Sequence, residues 1–284
     1  MENPEASGFG IFILYTIIPL FNMLLLNIYP YLVLLLGFVI ALYLILRKPK
    51  IKAISLTVEE KRMLRDEVSF YAELDNEKKI VFEDKISQFL GMVKIEGVGV
   101  EVTHLDRLLV GASAIIPVFG FDNWHYKNLG TVVLYPDTFN KDFQFAEGER
   151  NIMGMVGDGY MNGQMILSQS ALRHGFSKSA GKENTGIHEF VHLLDKSDGA
   201  TDGIPQNFLK HEYAIPWVKM MHNEIKKIAD NQSDINPYAT TNEAEFFAVV
   251  SEYFFENPTR MKDHHPELYD KLTMIFAQDP AKEL

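Results

Sequence analysis

The chain has 284 residues, 27 of them basic and 38 acidic, giving a formal net charge of −11, and it contains no cysteine. That acidic balance speaks against direct binding to nucleic acid, and a chain without cysteine has no disulfide framework to read. There is no P-loop, dinucleotide-binding glycine pattern, internal repeat or low-complexity tract.

From Phe9 to Leu46 there is no charged residue. A bilayer core takes about twenty helical residues, and this run is nearly twice that. Asn22, Asn27 and Pro30 interrupt its middle. The run therefore predicts two transmembrane helices, about 9–26 and 30–46, joined by a tight turn; a single tilted span around 28–46 is the alternative. The acidic start, with Glu2 and Glu5, does not suit a cleaved signal peptide. The basic flank of Arg47, Lys48, Lys50 and Lys52 marks the cytoplasmic side. Residues 1–52 are thus expected to anchor the chain in the inner (cytoplasmic) membrane. Residues 53–284 are expected to form one domain facing the cytoplasm.

In that domain, mixed charged and apolar periodicity predicts helices near 57–74 and 77–92. Val98–Val102 and Thr131–Tyr135 read as strands, Asp106–Ile116 as a helix of small apolar residues, and Gln164–Ser168 as another strand. The segment 137–160 carries little readable pattern. Residues 188–192 then read His-Glu-Phe-Val-His, an HExxH motif inside an apolar run. Helical residues four apart share a face, so His188 and His192 can present two imidazoles to one metal ion. Glu189 is placed to take a proton from water at that metal. Zinc suits nitrogen and carboxylate ligands in a tetrahedron that keeps one position for water. Lys182–Thr185 supplies polar caps before the helix, and Ser197-Asp198-Gly199 supplies a stop after it.

A catalytic zinc site needs a third protein ligand. Asp198 lies six residues past His192, but the turn it requires lacks a glycine where Asp195 stands. The rival lies in 236–258, where Thr240 and Glu243 form a capping-box pattern and Pro258 stops the helix. Glu245 and Glu252 share a face there with Val249, and a buried carboxylate needs a partner. Glu245 is the expected ligand, Glu252 an outer or ion-paired group, and Glu243 a cap. Asp195 is expected to orient a ligand imidazole or to serve structurally. His104, His125, His174, His211, His222, His264 and His265 lack a second ligand at metal spacing and are expected in ordinary surface or partly buried roles.

His188–Asp195, Asn236–Ala239, Ala244–Ala248 and Ser251–Phe255, with Leu56–Arg65, Thr131–Pro136 and Gly163–Ser168, together resemble the Mlc titration factor A family of zinc metallopeptidases. Their catalytic fold is similar to the protease domain of anthrax lethal factor. The resemblance implies an α+β, gluzincin-like domain with an HExxH helix, a small mixed sheet and a helical C-terminal part. It implies Zn2+ held by His188, His192 and Glu245, with Glu189 as general base and acid. It also implies a catalytic role for Tyr238, whose phenol can bond a developing oxyanion. The expected function is a membrane-anchored zinc peptidase acting on peptide or protein substrates. An edge strand can bind the substrate backbone in such enzymes, a role expected of 164–168.

The family's namesake is a soluble cytosolic peptidase that binds a sugar-uptake repressor, so an anchored relative is expected to meet different partners. One alternative is a membrane-embedded quality-control endopeptidase, which would need further spans. Another is a membrane-tethered regulatory protein that binds a repressor and holds zinc as a structural or regulatory ion; a purely structural site would have no use for Glu189.

Overall fold

The computed structural model describes residues 18–46, 55–122, 124–146, 149–157, 162–209 and 211–283. The chain divides into two compact units, Met1–Lys50 and Ile51–Leu284.

In the first unit one helix, α1 (Ile18–Leu46), runs 29 residues through Asn22, Asn27 and Pro30. The turn expected at 27–30 does not form, which corrects the two-helix hairpin. Backbone hydrogen bonding gives the reason: an internal proline forfeits one bond, whereas a turn within an apolar run strands several polar groups. The start of the first expected span and the basic flank at 47–52 lie outside the described residues. Side chains 28–44 are all exposed within this chain. Among the residues whose side chains are described, no helix is long and apolar enough to cross a membrane.

The second unit opens with α2 (Val58–Glu67), started by a capping box in which Thr57 and Glu60 each accept the other's backbone N–H. The single helix expected over 57–74 breaks at Val68, whose backbone is extended and whose side chain is buried. Helix α3 (Ser69–Glu73) follows. The break lets Val68, Tyr71 and Leu74 all reach the core, each worth about 1.5–3 kcal/mol. Helix α4 (Asn76–Met92) leads into strand β1 (Lys94–Gly97), which lies upstream of the strand expected at 98–102. Gly99, at φ +74°, takes the left-handed conformation that glycine adopts without strain, and it turns the chain out of the extended run.

Helix α5 (His104–Ile115) is followed by β2 (Thr131–Tyr135), β3 (Gly154–Val156) and β4 (Gln164–Ser168). The sheet order is β1-β2-β4-β3, with β1, β2 and β4 parallel and β3 antiparallel to β4. Period-two alternation divides the faces. Val132, Leu134, Met165 and Leu167 join the main core, while Tyr135 and Ile166 join Phe139 in a small cluster on the other face.

After α6 (Gln169–Gly175) the chain is helical: α7 (Thr185–Asp195), α8 (His211–Ala229), α9 (Glu243–Glu256), α10 (Pro258–His264), α11 (Pro266–Phe276) and the short α12 (Pro280–Glu283). Helix α9 is buried from Phe246 to Phe255, too apolar to lie at a surface, and packs beside α7. The mixed architecture, a small sheet with many helices, agrees with the expected α+β class.

Candidate metal centre

Helix α7 starts at Asn184, whose Oδ1 accepts the Ile187 N–H at 3.1 Å. Ile187, Phe190, Val191 and Leu194 fill the core from one side of the helix. That packing sets the rotation that turns His188 and His192 toward a cleft. Their Nε2 atoms stand 3.1 Å apart. Helix α9 starts at Asn242, whose Oδ1 accepts the Glu245 N–H at 2.9 Å, rather than at the expected Thr240–Glu243 box. Thr240 ends a 3-10 turn, Pro237–Thr240, and the Glu243 side chain faces His222 at 3.4 Å.

Glu245 thereby sits in the first turn of its helix, where the backbone favours negative charge. Its Oε2 lies 3.0 Å from His188 Nε2 and 3.6 Å from His192 Nε2. Tetrahedral zinc with ligands at about 2.0–2.1 Å would separate its donor atoms by about 3.3 Å. The three donors form a group that could hold a metal ion. One cation among them would satisfy both facing ring nitrogens and the carboxylate at once. The charges agree. Burial would raise the Glu245 carboxyl, but the His188 and His192 hydrogen bonds and charges hold it well below the usual carboxylate range. Burial would lower His188, yet Glu252 and Glu245 lift it well above an ordinary imidazole. The cradle favours positive charge.

Glu252, two turns along α9, orients the site. One oxygen meets His188 Nδ1 at 2.7 Å and the other accepts the Asn184 N–H at 2.5 Å. With Nδ1 donating to Glu252, the neutral ring would keep its Nε2 lone pair for a metal in the cleft. His192 Nδ1 is buried with no partner, and so is Asp195 Oδ1. Asp195 instead accepts the Gly203 N–H at 2.8 Å, which is the structural alternative of the expected pair. Burial raises its carboxyl to about 6. Asp198 is exposed and accepts the N–H groups of Ala200 and Gln206, so it is no rival ligand.

Glu189 is 6% exposed and faces strand β3. A Cβ built on Gly154 would lie 2.5 Å from Glu189 Cγ and 2.7 Å from its Oε1, closer than atoms can approach. Any side chain there would have to displace Glu189. Burial raises the Glu189 carboxyl, opposed by the charges of His188 and His192. Tyr238, on the Pro237–Thr240 turn, is 53% exposed, with its ring centroid 6.1 Å from that of His188. Burial, then the charges of Glu245, Glu189 and Glu252, raise its phenol, which keeps its proton. The cleft holds about 500 Å³, between Gly154–Val156 on one side and His188, Glu189, His192, Tyr238 and Glu245 on the other.

The segment 164–168 is not the edge strand. It lies inside the sheet, and the edge beside Glu189 is β3. Sequence reading missed Gly154, while the cap Asn184 falls within the polar segment 182–185 expected to start the helix. The remaining histidines take ordinary partners where described: His104 with Glu60, and His265 with Asp234 and Glu224.

A family model described as glucose-regulated metallo-peptidase M90 matches residues 44–277. The chain belongs to that family. Among its relatives, an uncharacterized protein of Synechocystis sp. is 29% identical over 231 residues, covering 77% of this chain and 83% of its own. The Mlc titration factor A of Salmonella arizonae is 28% identical over 200 residues, 66% of this chain and 77% of its own. That of an Escherichia coli strain is 25% identical over 226 residues, 75% and 82%. The family implies a metal ion, and the His188–His192–Glu245 group fits one.

Proposed function

We propose that this M90 metallopeptidase hydrolyses peptide bonds with zinc held by His188, His192 and Glu245. The observation that carries the reading is the convergence of those three donors at 3.0–3.6 Å beside a buried Glu189. When bound, zinc supplies Lewis acidity that activates water and polarises a carbonyl. Glu189 accepts the proton of the attacking water and passes it to the leaving amine. The Tyr238 phenol donates a hydrogen bond to the carbonyl oxygen as negative charge develops on it. Glu252 keeps the His188 ring in place throughout.

Strand β3 positions the substrate. Met153 O accepts the Ser168 N–H, and the Gly157 N–H donates to Gln164 O, so residues 153, 155 and 157 face β4. Gly154 and Val156 therefore point their N–H and C=O groups to the open edge, where a peptide backbone can pair.

Glu189→Gln tests this. The variant should bind zinc like its parent and lose about 10²–10⁴-fold in peptide hydrolysis. Undiminished hydrolysis, with contaminating protease excluded, removes Glu189 from the reaction.

The proposal extends to the N-terminal unit, placed at the inner membrane with the catalytic unit in the cytoplasm. The charge-free run from Phe9 to Leu46, the uncovered side chains of 28–44 and the basic flank support it. The full chain should stay with the membrane pellet through alkaline carbonate washing, and its release would end this part of the proposal.

A further inference from the structure

Beside the catalytic cleft is a second cavity of about 450 Å³ that shares Val156 and Lys196 with it. Its volume falls in the range of pockets that enclose ligand groups. Trp124, Tyr126, Leu129 and Leu193 supply apolar surface. Trp124 packs at 4.5 Å between ring centroids against Phe208, and its buried indole N–H has no acceptor. Among the described residues, the lysines lining it are Lys127 and Lys196. The metal cleft carries a cluster of carboxylates, Glu189, Glu243, Glu245 and Asp202, along with Lys196. Leu193 directly follows His192, so the cavity opens one residue from the metal cradle.

Direction follows from β3. Glu189 lies against Gly154, so the reacting carbonyl sits at that end of the strand. The cavity touches the other end, at Val156 and Gly157. A peptide pairing antiparallel to β3, the more stable arrangement per residue, enters by its N-terminal part over Val156 and leaves past Gly154. We propose that this cavity is a specificity subsite, receiving a large apolar side chain from one of the two residues N-terminal to the scissile bond. Lysine and arginine are disfavoured there by the apolar walls of Trp124, Tyr126, Leu129 and Leu193 and by the nearby Lys127. The inference rests on the peptidase reading above and names its substrate class.

Binding and turnover are read separately. The zinc-loaded full chain carrying Glu189→Gln is titrated calorimetrically with capped hexapeptides of alanine in which one position is Phe, Ala or Lys. Phe should bind at least about tenfold more tightly than Ala, and Lys no better than Ala. Asn207 is exposed at the cavity wall. Asn207→Trp, which fills the space, should abolish the Phe advantage while leaving zinc content and Ala binding within about twofold. Equal binding of all three peptides, or a Phe advantage that survives the filled cavity, overturns the subsite whether or not the enzyme turns over. Cleavage maps of a peptide mixture with the unmodified chain give the direction. An apolar preference on the C-terminal side of the cut overturns it, and absence of all zinc-dependent cleavage counts against the peptidase reading instead.

Discussion

The cleft has two walls of different origin. One is helical, made by α7 and α9, and carries the proposed metal donors on residues that recur at fixed turns. The other is the three-residue strand β3, which contributes backbone groups and the absence of a side chain at Gly154. A helical wall announces itself because its function lies in side-chain identity and period. A strand wall whose function lies in its main chain leaves almost no mark on the sequence. The two walls should also fail differently when altered.

The largest effect belongs to the helical wall. Glu245→Ala removes one of three donors and should cost more than about 100-fold in zinc affinity, since loss of even an outer partner costs about 10–100-fold. Zinc stoichiometry after dialysis against a weak chelator checks it. The strand wall should respond without losing metal. Gly154→Ala forces Glu189 aside, so kcat should fall about 10–100-fold, the range expected when a catalytic group is misplaced by about an ångström. Zinc content should stay whole. Loss of metal in this variant would erase the division between the walls.

Glu252→Gln sharpens the comparison from within the helical wall. It keeps the shape but removes the charge on His188 Nδ1, and zinc affinity should fall about 10–100-fold, measured by competition with a chromophoric chelator. A smaller effect lies behind that wall, where Asp234 accepts hydrogen bonds from Tyr253, Arg260 and His265 and pairs with Lys182. Burial raises the Asp234 carboxyl, but His265, Tyr253 and Lys182 hold it far below its ordinary value. Hydrogen bonding to Glu224 first, and then to Asp234 against the effect of burial, raises His265. The depressed carboxyl contributes stability above its unfolded pKa of about 3.9, lost as pH falls toward the folded value. The raised imidazole contributes below about 6.5, lost as pH climbs through its folded value. Asp234→Asn should therefore destabilise most between about pH 4 and 6.5, by about 1–3 kcal/mol. The deficit should shrink at alkaline pH, as followed by thermal melts.

Legibility in the sequence follows the same line. The spacing of His188 and His192 and the shared face of Glu245 and Glu252 are helical facts, and reading them needs only the 3.6-residue period. Strands β2 and β4 showed their apolar runs and emerge where expected. Strand β3 could not be read: three residues in a patternless segment become a strand only because β4 lies alongside. The start of α9 was misplaced because Thr240 and Glu243 imitate a capping box, while Asn242 makes the actual bond. The N-terminal hairpin failed because Pro30 reads as punctuation in water-exposed chains but not within so long an apolar helix. The bond of Glu252 to His188 was foreseen only as an outer or paired role, since its partner depends on how two helices cross.

One carboxylate, Glu252, touches both the backbone at the beginning of α7 and the imidazole one turn further on. A rigid planar group thus acts as a gauge block between the amide that caps the helix and the first of its proposed ligands. Aspartate at that place, one methylene shorter, would have to let go of one contact or the other. Any slip in the register of α7 against α9 would be transmitted straight to the ring nitrogen, so folding and metal affinity are set by the same few ångströms.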